Sequence, residues 1–385
     1  MTTERFDTVV IGGGQAGLAA GYELRRRGIG FVILDAGVRV GQAWRDRWDS
    51  LRLFTPARAA GLRGMRHPVP GDRYVTKDEM ADYLEAYADR FDLPIRLGVR
   101  VARVTRTAEE RFEILTTNGE RIEADNVVVA TGAHSRSRMP AFARDLDPNI
   151  VQLHSSAYRN PAQLRPGGVL VVGCGNSGAD IALEVARTHP TWLAGPSTGS
   201  MPFDIETWFA RHIVTRIVVA LGRHVITLRT PIGRRVRAKT AGRGDPLIRV
   251  KPKWLTTAGV RRVGRVVAIE GGLPVLDDVG SLPVDNVIWC TGLDQDLSWL
   301  DLPAAFDDSG RLRHARGISS AVPGLFFVGM SWQFSIGSET ITGVPRDARY
   351  VVRALARRQP AASTTARMRS AISRIREREA VPPVA

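Results

Sequence analysis

The chain opens on blocks of apolar and polar positions with two different periods. Residues 6–11 form a short apolar run that predicts a buried strand, 15–27 carry Ala and Leu at helical spacing, and 30–34 form a second apolar run. Together they predict a β-α-β unit. A helix is expected over 78–91, then strands over 94–105, 111–117 and 120–130, with Asn118-Gly119 as the turn between the last two. The run Asn126-Val127-Val128-Val129-Ala130 is apolar on both faces, as a central parallel strand is, and it ends in Thr131-Gly132.

Pro140, Pro148 and Pro161 mark an irregular stretch, beyond which the pattern begins again. A strand is expected at Val169–Val172, a helix over 176–187 and a second strand over 192–194. Residues 199–258 interrupt this second unit with Arg and aromatic side chains. Strands resume over 265–270 and 284–290, and a strand at 324–329 with a helix at 346–357 closes the ordered part.

The first repeat carries Gly12-Gly13-Gly14-Gln15-Ala16-Gly17 between its strand and its helix, which is the G-x-G-x-x-G spacing in the context that gives it meaning. Gly12 permits the tight turn, Gly14 lets backbone approach a pyrophosphate, and Gly17 allows helix and strand to touch. The helix N-terminus then offers free N–H groups and about half a positive charge to the phosphates. Asp35 ends the second strand, 23 positions after Gly12, where a carboxylate accepts hydrogen bonds from ribose hydroxyls and repels a 2′-phosphate. This site suits FAD or NAD better than NADP. Gly173-Cys174-Gly175-Asn176-Ser177-Gly178 repeats the spacing, so two nucleotides are expected.

Length and charge narrow the picture further. At 385 residues and 44% hydrophobic content the chain exceeds what one core usually organises. No apolar run approaches the roughly twenty residues of a spanning helix, and the first residues lead into a strand with no charged and apolar leader, so a reducing cytoplasm is the expected compartment. The net charge of +15 attracts anions in general. With the basic residues spread out and no nucleic-acid motif present, two bound pyrophosphates are the preferred explanation and no nucleic-acid partner is expected. Two distant cysteines, Cys174 and Cys290, exclude a disulfide framework and a Cys-x-x-Cys relay, and no metal-ligand cluster is visible.

Motifs along nearly the whole chain carry a resemblance. Five residues separate Asp35 from Gly41-Gln42-Ala43-Trp44, Asp49-Ser50-Leu51-Arg52-Leu53-Phe54-Thr55-Pro56 follows, and Ala130-Thr131-Gly132 is matched by Cys290-Thr291-Gly292. Phe327-Val328-Gly329 and Gly343-Val344-Pro345-Arg346-Asp347-Ala348 lie near the end. This set resembles the flavin-dependent monooxygenases that include the flavin-containing monooxygenases and the plant YUCCA-type enzymes. The resemblance implies an α/β fold of two Rossmann-like domains, the FAD domain discontinuous: 1–155 and 318–360 for FAD, 156–317 for NAD(P) with the insertion 199–258, and a flexible tail over 361–385. It implies FAD contacts at Gly12, Gly14, Gln15, Ala16, Gly17, Asp35, Gln42, Trp44, Arg52, Val101, Ala130, Thr131, Gly132, Gly329 and Asp347. NADPH contacts are implied at Gly173, Gly175, Asn176, Ser177, Gly178, Ser197 and Thr198, with Thr55 and Arg52 beside the reactive face of the flavin. The activity implied is hydride transfer from the nicotinamide to FAD, addition of O2 at C4a, and transfer of one oxygen atom to a small, fairly apolar metabolite.

Two departures temper this reading. The fingerprint F-x-G-x-x-x-H-x-x-x-(aromatic) keeps only its later half, His154 to Tyr158, with Pro148 and Ile150 at the Phe and Gly positions. After 192–194, where relatives carry an Arg for the 2′-phosphate, the chain reads Gly195-Pro196-Ser197-Thr198, which leaves NADH open beside NADPH. A reductase or dehydrogenase passing electrons to a quinone, protein or organic acceptor is therefore the alternative, while a non-catalytic or nucleic-acid-associated module has only net charge in its favour. Within the insertion, Phe209, Ile213, Val214, Ile217 and Leu221 form an apolar side and His212, Arg216 and Arg223 a basic one. The apolar side is expected to pack on the core with a solvated basic edge, in preference to resting on a membrane surface or lining a substrate route.

Overall fold

The computed structural model describes residues 3–133, 135–240 and 244–358; the tail expected over 361–385 lies outside the described residues. At the centre of the first sheet, strand Glu4–Ile11 pairs in parallel with Phe31–Leu34 on one side and with Arg121–Val129 on the other. Leu325–Phe327 returns from the far end of the chain to lie parallel to Arg121–Val129, Phe327 opposite Val129. Side chains alternate across a strand, so neighbours in these apolar runs enter opposite cores. Val10, Ile33, Val128 and Phe326 pack under the helices Gln15–Arg25, Lys77–Arg90 and Val344–Arg358. Val9, Val32, Val127 and Phe327 face the other way, with Val104, Ile114 and Leu300.

Local signals explain most boundaries. Lys77–Arg90 starts at a capping box in which Thr76 accepts from the Glu79 N–H and the Glu79 carboxylate accepts from Thr76. The strand expected over 94–105 is instead two, Ile95–Arg96 and Val101–Arg106. Gly98, at φ +70°, turns the chain between them so that its N–H donates to Gly37 O (2.8 Å) and that of Val99 to Asp35 O (2.9 Å).

The second sheet is parallel throughout, in the order Val151–His154, Asn286–Trp289, Val169–Val172, Thr191–Ala194, Arg261–Val263. Strand Val151–His154, which precedes the division expected at 155, belongs to this sheet, and His314–Ala315, which precedes 318, belongs to the first. The chain crosses between the sheets at two linkers. These pair with each other as short antiparallel strands, Arg136–Ser137 with Leu293–Asp294.

The insertion folds into a π-helical turn, Ala210–Val214, that continues as helix Thr215–His224, followed by helices Pro231–Thr240 and Pro252–Thr257. Of the apolar side expected to pack on the core, only Val214 is half-buried. Phe209, Ile213, Ile217 and Leu221 are all exposed, because the inner contacts of this segment are made by the small residues Ala210 and Gly222 and by backbone.

Candidate nucleotide and redox site

The two glycine loops share one geometry. Gly12 and Gly173 sit at φ +105° and +113°, and a Cβ on either would strike the carbonyl oxygen of a linker residue, Ala130 at 2.6 Å and Cys290 at 2.3 Å. A Cβ on Gly17 or Gly178 would lie 1.8 Å from the carbonyl oxygen of Gly12 or Gly173. Gly14 and Gly175 are the exception: a Cβ there would meet nothing within 4 Å. Both are helix N-caps without a side-chain cap, so first-turn N–H groups remain for an anion laid over an open cradle.

Around the first loop, Asp35 is fixed by two backbone donors, Gly13 N–H to Oδ2 (2.5 Å) and Gly37 N–H to Oδ1 (2.7 Å). Each oxygen keeps a lone pair for a ribose hydroxyl. Gly329 lies where a Cβ would come within 2.7 Å of Ala16 Cβ, which brings the returning strand and the first turn of Val344–Arg358 beside the loop. Asp347, in that turn, is fully buried and accepts from Arg346 Nε (3.0 Å). Gln15 donates to Glu339 O (2.9 Å). Gln15 Oε1, Thr131 Oγ1 and Asp347 Oδ2 are buried without a hydrogen-bond partner. Buried orphans cost about 1–3 kcal/mol each, and a dinucleotide along this loop relieves that cost. The residues present therefore fit FAD.

Not every expected contact points at the loop. Gln42 turns its amide to Asp46 Oδ1 (2.9 Å), and partly buried Trp44 packs against both the first and the second domain's core. Val101 lies two residues past Val99, the residue whose N–H meets Asp35. Gly132, at φ +77°, presents its carbonyl to Gln295 Nε2 (3.1 Å).

At the second loop, Asn176 uses its side chain to hold the insertion, accepting from Ile248 N–H (2.8 Å) and donating to Pro246 O (3.2 Å). Ser177 stands in the helix's first turn. Thr198 Oγ1 donates to Cys174 O (3.2 Å), and Ser197 Oγ accepts from Gly199 N–H (3.2 Å). After Ala194, where no Arg follows in sequence, one stands on the adjacent strand. Arg262, exposed, donates to Gly195 O (2.8 Å) at the end of Thr191–Ala194 and lies close enough to Cys174 to oppose the rise that burial imposes on its thiol. Sequence reading missed this Arg because it lies 67 residues beyond Gly195, and only the pairing of Trp192 with Arg261 brings it there.

The eroded fingerprint has structural work. Ser156 N–H donates to His154 Nδ1 (3.1 Å), so Nε2 carries the proton and donates to Gly292 O (3.0 Å) in one linker. Ser156 Oγ is 2.9 Å from Ser137 Oγ in the other. Burial pushes the His154 pKa down, the Gly292 carbonyl opposes this, and Arg47 adds to it. Tyr158 is fully buried and donates to Glu184 Oε2 (2.8 Å).

Arg52 and Thr55 lie on strand Arg52–Pro56, which pairs with Tyr74–Thr76. The insertion reaches them through Arg249, which donates to Arg52 O and stands 5.7 Å from the Phe54 ring. The same Arg249 faces Asp180, whose pKa is pushed up to about 6 by burial, with Arg249 opposing and Glu184 adding.

Residues 9–213 match the family model described as pyridine nucleotide-disulphide oxidoreductase. The uncharacterized oxidoreductase CzcO-like of Geobacillus kaustophilus (strain HTA426) is 38% identical over 353 residues, covering 90% of this chain and 97% of its own length. The chain belongs to that oxidoreductase family. Within it the oxidoreductase is of the flavin monooxygenase type. The flavin-containing monooxygenase from Stenotrophomonas maltophilia matches it with a TM-score of 0.74 and 29% identity, over 92% of this chain and 99% of that one. Indole-3-pyruvate monooxygenase YUCCA1 of Oryza sativa subsp. japonica is 27% identical over 365 residues, 86% of this chain and 88% of its own. Despite the word disulphide in the family description, this chain has no Cys-x-x-Cys pair: Cys174 and Cys290 are free, and burial raises the pKa of both.

Proposed function

We propose that the oxidoreductase binds FAD at the first loop and NADPH at the second and oxygenates a small, fairly apolar metabolite. The observation that carries this reading is a frame with two nucleotide cradles and no Cys-x-x-Cys pair, in which Cys174 and Cys290 are both free and burial pushes the pKa of each up. Electrons collected from a nicotinamide then have no Cys-x-x-Cys disulfide of this chain to pass through and leave to an external acceptor, which this reading takes to be dioxygen. Bound FAD supplies two-electron acceptance from the nicotinamide and the activation of dioxygen.

The chain's own residues bind and orient. Gly14 and Gly175 admit the two pyrophosphates to helix N-termini, Asp35 accepts from the adenosine ribose of FAD, and Asp347 and Thr131 offer their unpartnered oxygens along the same cofactor. Arg262 gives the second site the positive charge that a 2′-phosphate requires, with Ser197 and Thr198 beside it. Arg52 and Thr55 are assigned to the reactive face, on the strand that the insertion covers through Arg249. His154 and Ser156 hold the two linkers, which sets how the domains meet.

The test is product labelling. FAD-loaded protein with NADPH under ¹⁸O2 and a panel of thioethers, amines and ketones should place one labelled oxygen in at least one acceptor. Rapid NADPH oxidation with a quinone acceptor and no label in any product would sink the oxygenation reading and leave the reductase alternative.

A further inference from the structure

The insertion carries a surface that the redox chemistry does not use. Between residues 206 and 240 there are eight Arg and Lys against a single acid, Glu206, and Glu206 is already paired with Arg211. The same stretch holds most of the large exposed apolar side chains among the described residues. Trp208 is 68% exposed, Phe209 57%, Ile217 53% and Ile232 54%, with Ile213 and Leu221 beside them. Positions 209, 213, 217 and 221 recur every four residues, which aligns them along one side of the helical segment.

This side cannot turn inward. The segment is tied to the FAD domain at both ends: Tyr74 Oη donates to Ile205 O (2.6 Å), Leu228 N–H to Phe334 O (2.8 Å) and Ile336 N–H to Ile226 O (3.2 Å). Its inner face is closed, with Ala210 buried and Gly222 against Ile336. Leaving a contiguous row of aliphatic and aromatic groups in water is costly, and soluble surfaces rarely do so without a partner.

We propose that this arm rests on a membrane surface bearing anionic headgroups. Aliphatic Ile213, Ile217 and Leu221 fit the boundary between headgroups and acyl chains, and Arg229, Arg234, Arg235, Arg237 and Lys239 supply the attraction to anionic lipid. A second copy of the chain is the poorer occupant, because it would bring two strongly basic arms together. Nucleic acid would satisfy the charge but leave the aliphatic row in water. No helix of the described residues is long and apolar enough to cross a membrane, so the contact is peripheral. Such a surface would also bring the site close to a reservoir of apolar compounds.

The test is cosedimentation of the FAD-loaded full chain with vesicles of phosphatidylcholine alone and of phosphatidylcholine mixed with phosphatidylglycerol. Pelleting is expected only with the anionic vesicles, and it should weaken as salt is raised. Replacing Arg234 and Arg235 by Ala should weaken partitioning by about fivefold for each charge removed. Phe209→Ser combined with Ile217→Ser should weaken it by roughly tenfold or more. Both variants should keep their flavin content and melting temperature, which separates loss of the surface from loss of the fold. No pelleting with anionic vesicles, equal pelleting with neutral ones, or release of the protein by duplex DNA would each overturn the proposal. So would a lipid-free dimer that Ile217→Ser dissociates.

Discussion

Gly175 and Gly173 stand two residues apart, and an added methyl group should do opposite things at each. At Gly175 the backbone φ is −76°, which alanine adopts freely, and a Cβ meets nothing within 4 Å. Gly175→Ala should leave the fold intact or stabilise it by about 0.4–1 kcal/mol through the unfolded chain. The methyl group does fill the cradle, and losing one charge-assisted bond to a phosphate costs about 1.5–3 kcal/mol, or roughly 10- to 100-fold in affinity. At Gly173 the φ is +113° and the Cβ falls 2.3 Å from Cys290 O. Strain and overpacking there should cost roughly 2–5 kcal/mol. The assays are thermal unfolding and the KM for NADPH on FAD-loaded protein. Gly175→Ala should raise KM at least about tenfold with a melting temperature within about 2 °C of the parent, and Gly173→Ala should melt several degrees lower. A Gly175→Ala protein with unchanged KM would refute the reading of the second loop as a pyrophosphate cradle.

Three further outcomes follow from the site. Arg262→Ala should raise the KM for NADPH by roughly 10- to 100-fold while leaving that for NADH nearly unchanged; equal losses with both nucleotides would remove Arg262 from the 2′-phosphate. Thr55→Ala should release more hydrogen peroxide per NADPH consumed, and unchanged peroxide and product yields would strip Thr55 of a role at the reactive face. Asp180 has a folded pKa of about 6, above its unfolded value, so the stability it contributes is fully present below about pH 4 and lost as pH rises through 6. Asp180→Asn should therefore flatten that part of the stability profile and gain up to roughly 3 kcal/mol near neutral pH, read by denaturant unfolding from pH 4 to 8.

Much of this was legible because short-range physics fixes it. Val9 and Val10 announce a strand buried on both faces, and Gly12, Gly14 and Gly17 occupy positions whose spacing encodes contacts within one β-α turn. Asp35 was legible for the same reason. What escaped were contacts between distant segments. Arg262 reaches Gly195 only by strand pairing, Asn176 turns to Pro246 and Ile248, and His154 finds Gly292 across 138 residues. None of these leaves a local period. The insertion failed differently. Its amphipathic spacing at Phe209, Ile213, Ile217 and Leu221 was read correctly as a helix face, but periodicity says which side is apolar and not what that side meets.

The most direct measurement of the central claim is stopped-flow absorbance on FAD-loaded protein, reduced by NADPH without oxygen and then mixed with oxygenated buffer. Reduction by NADPH should be fast and complete, and the oxidised flavin spectrum should return only after a distinct, slower second phase, as expected of a site that holds activated oxygen for a substrate. Reoxidation in a single rapid phase, with one hydrogen peroxide released per NADPH whatever acceptor is present, would contradict it.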